Sequence, residues 1–217
     1  MPLVANRIVE CVPNFSEGRA AATVRALTEA VRAVPGVALL DQTMDPDHHR
    51  VVLTFAGAPE AVAEAAFHAA KTAAARIDLR THQGAHPRVG ATDVVPFVPI
   101  CGVTMRECVE LARTVGRRIG EELKIPVFLY EQAATHPAHA NLSDVRHGGL
   151  PGLAARMADD PAWAPDFGPR RLHPTAGATA VGARRILVAF NVNLATNDLG
   201  IAKAIAKAVR QSSGGLA

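Results

Sequence analysis

The apolar positions of this chain change period several times, and that alternation restricts the fold more than any other feature. Val24, Leu27, Val31 and Val34 recur at helical spacing after Ser16 and Gly18, which predicts an amphipathic helix over residues 19–34. Pro35-Gly36 ends it, because proline has no N–H to continue the ladder. Residues 37–40 and 51–56 are short apolar runs that read as strands, joined through the polar turn Asp45-Pro-Asp-His-His49. Pro59 then stands where a first helical residue is expected, ahead of an alanine-rich helix to about Ile77. Residues 94–98 and 125–130 read as further strands. Between them Thr104-Met-Arg-Glu107 is a capping-box pattern opening a helix with Cys108, Ala112, Val115 and Ile119 on one face. This βαββα order, followed by further α and β segments, predicts an α/β (α+β) protein with a mixed sheet and helices on one face, not a doubly wound nucleotide fold.

With 217 residues and 49% hydrophobic content, the chain can bury one large core or two small ones. It has no long uninterrupted apolar run, and its start, Met-Pro-Leu-Val-Ala-Asn-Arg, lacks the basic and apolar stretches of a secretory signal. A cytoplasmic protein with no membrane partner is expected. The three cysteines, Cys11, Cys101 and Cys108, are odd in number and show no C-x-x-C spacing, so neither a disulfide framework nor a zinc ribbon is indicated. A formal charge of +3 with scattered signs and 4% aromatic residues argues against nucleic acid as partner. A mild positive bias does suit small polyanionic ligands.

The segment His82-Gln-Gly-Ala-His86-Pro87-Arg88-Val-Gly90-Ala-Thr-Asp93 concentrates reactive side chains. Gly84, Pro87 and Gly90 exclude a regular helix there, which leaves a loop, the usual carrier of sites on a rigid scaffold. Taken alone, His86 reads either as a structural loop histidine or as a proton shuttle, since an imidazole with an ordinary pKa of about 6.5 serves as base and acid near neutrality. Arg88 and Arg50 read either as solvated surface residues or as bidentate clamps for a substrate carboxylate. Asp93 either orients His86 or caps local backbone amides. His82 and His86 stand at i, i+4, but Gly84 and Pro87 between them make a helical metal pair improbable, and no metal is expected.

His86-Pro-Arg-Val-Gly-Ala-Thr-Asp-Val-Val-Pro-Phe-Val-Pro99 closely resembles the signature of the formiminotransferase domain family. Further blocks agree in order: Val9-Glu-Cys-Val-Pro-Asn-Phe-Ser-Glu-Gly18, Ile125-Pro-Val-Phe-Leu-Tyr130, Trp163-Ala-Pro-Asp-Phe-Gly-Pro169, and Gly182-Ala-Arg-Arg-Ile-Leu-Val-Ala-Phe-Asn-Val-Asn-Leu194. The resemblance implies a ferredoxin-like subdomain and transfer of a formimino group from N-formimino-L-glutamate to N5 of tetrahydrofolate, the co-substrate. It places the catalytic histidine at His86. It also implies folate contact by Gly168, Pro169, Arg170, Arg171, Leu172, His173, Pro174, Thr175, Ala176 and Gly177, where Arg170 or Arg171 would meet the glutamate tail; an inter-subdomain hinge is the other reading of that segment.

Three positions depart from the family pattern. Ala85 stands where a glutamate usually precedes the histidine, Thr43 replaces an acidic residue, and Gly149-Leu-Pro-Gly152 replaces an acidic, aromatic segment. Carboxylates lost near a catalytic imidazole weaken its orientation or basicity. A catalytically impaired folate- or dicarboxylate-binding module, or a half-enzyme needing a partner chain, is therefore the alternative function.

Residues 131–179 are broken by Pro137, Pro151, Pro161, Pro165, Pro169 and Pro174 and read as a long irregular segment. Ile186, Val188, Phe190, Val192 and Leu194 then alternate with Leu187, Ala189, Asn191 and Asn193 as in a strand, and a terminal helix follows with Ile201, Ile205, Ala208 and Val209 inward. The resemblance divides the chain into an N-terminal subdomain, residues 1–178, and the beginning of a second one, residues 179–217. The apolar face of that second strand predicts a homo-oligomer.

Overall fold

The computed structural model describes residues 7–187 and 194–209. It contains strands β1 (Ile8–Cys11), β2 (Asn14–Phe15), β3 (Val37–Asp45), β4 (Arg50–Gly57), β5 (Thr92–Cys101), β6 (Val127–Glu131) and β7 (Thr179–Ala183). Its helices are α1 (Ala21–Arg32), α2 (Pro59–Arg76), α3 (Met105–Glu122), α4 (Leu142–Arg146), α5 (Gly149–Asp159) and α6 (Leu199–Val209). Contacts divide it into two units, Met1–Ile186 and Leu187–Ala217.

In the first unit β1 and β2 are one strand interrupted around Pro13, and both pieces pair antiparallel with β4 on one side and β5 on the other. With β3 beyond β4, the order β3–β4–β1/β2–β5 is the four-strand antiparallel arrangement of a ferredoxin-like βαββαβ unit. α3 then leads to β6, and β7 inserts between β5 and β6 with parallel pairing to each. The sheet is therefore mixed, as the element order predicts.

Helices α1, α2 and α3 line up on one face, where Leu27, Val31, Phe55, Phe97, Val115 and Ile119 are fully buried or nearly so. α3 starts with the expected reciprocal capping box, Thr104 accepting the Glu107 N–H while the Glu107 side chain accepts the Thr104 N–H. Predicted and observed helices agree because each bears an apolar stripe that this sheet face covers.

Two expectations change. Residues 131–179 hold α4, α5 and two 3-10 turns, and these close a second small core of Phe128, Val145, Leu153, Met157 and Trp163 over the opposite face beside β6. Pro137, Pro151 and Pro161 do not interrupt these elements because each lies in a first turn, where the missing N–H has no helical acceptor to lose. β7 is buried in the first sheet on hydrogen bonds to two neighbours, within the contact unit that runs to Ile186. Finally, β5 opens at Thr92, so Asp93 sits in the strand and the loop ends before it. Residues 184–187 are irregular, and most of the strand expected at 185–194 lies outside the described residues. In the second unit the predicted helix is present as α6, with Ile201, Ile205 and Val209 exposed along one stripe and no residue buried.

Candidate active site

The loop between α2 and β5 is fixed from beneath by backbone bonds. Leu79 N–H donates to the Thr175 carbonyl at 2.8 Å, Ala91 N–H to the Ala176 carbonyl at 2.9 Å, and Ala178 N–H to the Val89 carbonyl at 2.8 Å. The Ser16 hydroxyl adds a bond to the Gly90 carbonyl at 2.7 Å. Gly90 is required by this closeness: a Cβ there would stand 1.8 Å from the Ala178 carbonyl oxygen. The end of the 168–177 segment thus braces the loop, while Pro169, Arg171, Leu172, His173 and Pro174 open with Lys124 onto a separate cleft of about 440 Å³.

His86 is 9% exposed. Its Nδ1 contacts the Pro87 carbonyl, an acceptor, so Nδ1 carries the proton and Nε2 keeps its lone pair. Nε2 has no hydrogen bond among the described residues. Burial pushes the imidazole below its ordinary pKa; the Pro87 contact opposes this, and the cations of Arg146 and Arg50 then lower it further. The ring stands in a recess with Asn14, Ser16, His49, Arg50 and Asp93, and also borders an open cleft of about 430 Å³ lined by Ala85, Arg146, Gly149, Leu150 and Pro151. The ring is thereby reachable from two sides.

The arginines around it differ in how they are used. Arg88 turns back on its own loop, donating to the His82 carbonyl at 2.8 Å and to the Gly84 and His86 carbonyls at 3.3 Å. It staples its own loop through its two terminal nitrogens, and its Nε is buried without a partner among the described residues. Arg50 is half-buried and its guanidinium makes no hydrogen bond or ion pair among the described residues. Arg170 donates its Nε to the Met157 carbonyl at 2.6 Å, near the end of α5, which leaves Arg171 as the freer cation of its pair.

Asp93, 2% exposed, does not touch His86. One oxygen accepts the Val89 N–H at 2.7 Å and the other holds Arg146 Nε at 2.9 Å and its terminal nitrogen. Of its two sequence readings, the backbone-capping one matches. Arg146, Ser16, His49 and Glu17 were missed by sequence reasoning. Arg146 gives no local signal, since its partner lies 53 positions away and only the fold joins them.

His82 is a framework residue. Its ring stacks on His49 at 3.9 Å and its Nε2 donates to the His49 carbonyl at 3.1 Å. Burial, aided by Arg88, lowers its pKa to about 4.

The domain is ferredoxin-like α/β, and it brings a buried histidine and an arginine without hydrogen bonds among the described residues into one recess. The chain belongs to the formiminotransferase family: the model of the formiminotransferase domain, N-terminal subdomain, matches residues 8–184. It is 51% identical to a glutamate formimidoyltransferase of Streptococcus pyogenes serotype M1 over 96% of this chain and 70% of that protein. Identity to the glutamate formimidoyltransferase of Thermoplasma acidophilum is 46%, over 96% of this chain and 69% of that one. A formimidoyltransferase-cyclodeaminase of Mus musculus is 47% identical over 87% of this chain but only 35% of its own length.

Proposed function

We propose that this chain transfers the formimino group from N-formimino-L-glutamate to N5 of tetrahydrofolate and releases glutamate. The observation that carries this is the His86 imidazole, with Nδ1 committed to Pro87 and Nε2 open beside Arg50. Arg50 holds a carboxylate of the donor. N5 attacks the formimino carbon to give a tetrahedral adduct. His86 Nε2 takes the proton from the N5 ammonium and returns it to the glutamate nitrogen as the carbon–nitrogen bond to glutamate breaks. The same base serves both half-steps, so no net proton is consumed.

The folate lies along the open side of His86, with its glutamate tail directed to the cations of the 168–177 segment; the cleft at Arg171 and Lys124 supports this. The protein acts in the cytoplasm and self-associates. No helix of the described residues is long and apolar enough to cross a membrane, and no cluster of three or more His, Cys, Asp or Glu side chains among them could hold a metal.

A turnover assay with formiminoglutamate and tetrahydrofolate tests the reading, with release of glutamate expected. Reduced folate raising the melting temperature without any turnover would support the binding-module alternative instead, which Ala85 and Thr43 favour: Ala85 is exposed beside His86 without a carboxylate, and the Thr43 hydroxyl is engaged by Asp41 at 2.9 Å.

A further inference from the structure

The ring of His49 lies outside the proton path above, yet its surroundings constrain both its charge and its purpose. His49 ends the turn between β3 and β4 with φ 51°, in the left-handed region, where a residue with a Cβ needs compensating contacts. Both ring nitrogens face atoms that only accept. Nε2 lies 3.1 Å from a Glu17 carboxylate oxygen, and Nδ1 lies 2.9 Å from the Gln83 carbonyl oxygen. A neutral imidazole owns one N–H and satisfies one of these, whereas an imidazolium satisfies both.

The three segments joined here are those that build the site. Glu17 also accepts the N–H groups of Arg19 and Ala20 at 2.8 and 2.9 Å, just ahead of α1. Burial pushes the Glu17 carboxyl up, but the Ala20 and Arg19 N–H groups and His49 outweigh it and hold the group ionised. Gln83 belongs to the loop that carries His86, and His49 itself is followed by Arg50. Gly84 approaches the turn so closely that a Cβ would meet both the His48 carbonyl oxygen and the His49 Cβ at 2.6 Å.

We propose that His49 is a positioning residue for the His86 reaction: protonated at both nitrogens, it bridges Glu17 to Gln83 and fixes the loop. Its kinetic consequence rests on the formimino-transfer reading; the bridge does not. When the ring loses a proton, one contact becomes lone pair against lone pair and that end is released. The charged and titratable groups around it are Glu17 from the approach to α1, His82, His86 and Arg88 from the loop, Asp93 from β5, and Asp45, His48 and Arg50 from the turn. Of the carboxylates, Asp45 is already paired to His48 at 2.6 Å and Asp93 to Arg146, so Glu17 is the counter-ion. The bridge needs both His49 N–H groups, and the fixed loop it gives is what the His86 reaction draws on.

Nitrogen-15 spectra of the histidine rings in the full chain test the bridge, with His49→Asn providing the assignment. In the buffer used for turnover His49 should show two protonated nitrogens. The Ala85 amide, which donates to the Asp47 carbonyl at 3.2 Å, should exchange more slowly in the wild-type chain than in His49→Gly, which keeps positive φ and removes both donors. In His49→Asn, which tolerates positive φ and offers one donor, kcat should fall about tenfold with KM nearly unchanged. A neutral-ring spectrum in that buffer overturns the bridge, with or without turnover. A two-proton spectrum together with a wild-type kcat in His49→Asn overturns the positioning role. If the wild-type chain shows no turnover at all, the transferase reading falls by itself, and the spectrum with Ala85 exchange still decides the bridge.

Discussion

Replacing Arg146 with methionine removes the cation that ties α4 to the strand behind the His86 loop. Asp93 is 2% exposed and spends one oxygen on Arg146, the other on the Val89 N–H at 2.7 Å. Methionine keeps much of the arginine stem but leaves a buried carboxylate without its partner, a change that commonly costs about 3–5 kcal/mol. The Arg146 side chain is 17% exposed, so water reaches the vacated position and offsets part of the loss. A destabilisation of about 3 kcal/mol is expected, read in urea as a lower midpoint with an unchanged slope. Adding Asp93→Asn to Arg146→Met should recover part of it, because the stranded charge is gone. A loss below about 0.5 kcal/mol would equate the pair with exposed surface bridges and refute the argument. The pH profile supplies a second check. His86 acts as a neutral base, so activity is lost as pH falls through its folded pKa, and burial with the nearby cations places that limb below the ordinary value of about 6.5. Removing Arg146 while Asp93 remains must move the limb upward; an unmoved or lowered limb contradicts the electrostatic account.

His86→Ala should reduce kcat by about a hundredfold or more, the usual range for a lost general acid/base, and His82→Ala much less; equal damage in steady-state assays would relocate the shuttle to His82. Arg50→Gln should raise the KM for formiminoglutamate by about ten- to a hundredfold, the worth of a charge-assisted bond, and leave the denaturation midpoint in place because Arg50 is unspent in the free chain. An unchanged KM would remove Arg50 from the donor site. Gly90→Ala should cost at least about 3 kcal/mol or prevent folding, since its Cβ would stand 1.8 Å from a backbone oxygen that cannot turn aside. A variant with wild-type stability would show that the loop and the 175–178 segment part more readily than their hydrogen bonds indicate.

The helices and the first strands were legible because their information is local. Val24, Leu27 and Val31 declare a stripe, and Thr104 with Glu107 declares a helix start, whatever surrounds them. The placement of β7 was not legible. Its five residues, Thr-Ala-Val-Gly-Ala, are too small to mark a strand, and they suit this one because the neighbouring strands crowd it: a Cβ at Gly182 would meet Tyr130 at 2.5 Å. Likewise α5 hid behind Pro151, whose meaning depends on whether it falls in a first turn or an interior.

At the site, the sequence located the loop and the histidine but could not sort its arginines. The sequence offers Arg50 and Arg88 as equivalent cations and gives no sign of Arg146, and what separates the three is where each guanidinium finds its acceptors. Arg88 spends its two terminal nitrogens within seven residues of chain, on the carbonyls of His82, Gly84 and His86, while its Nε stays buried without a partner among the described residues. Arg146 finds Asp93 only after β6, β7 and β5 have been laid side by side. Arg50 makes no hydrogen bond or ion pair among the described residues, and burial lowers its pKa while the more distant Asp45 and Asp93 only partly offset this. Under the proposed transfer, a donor carboxylate held by Arg50 would cancel one of the cations depressing His86, so the base would be stronger with the donor bound. Spacing along the chain carries no trace of this coupling, because it follows from hydrogen bonds that are made by two arginines and left unmade by the third.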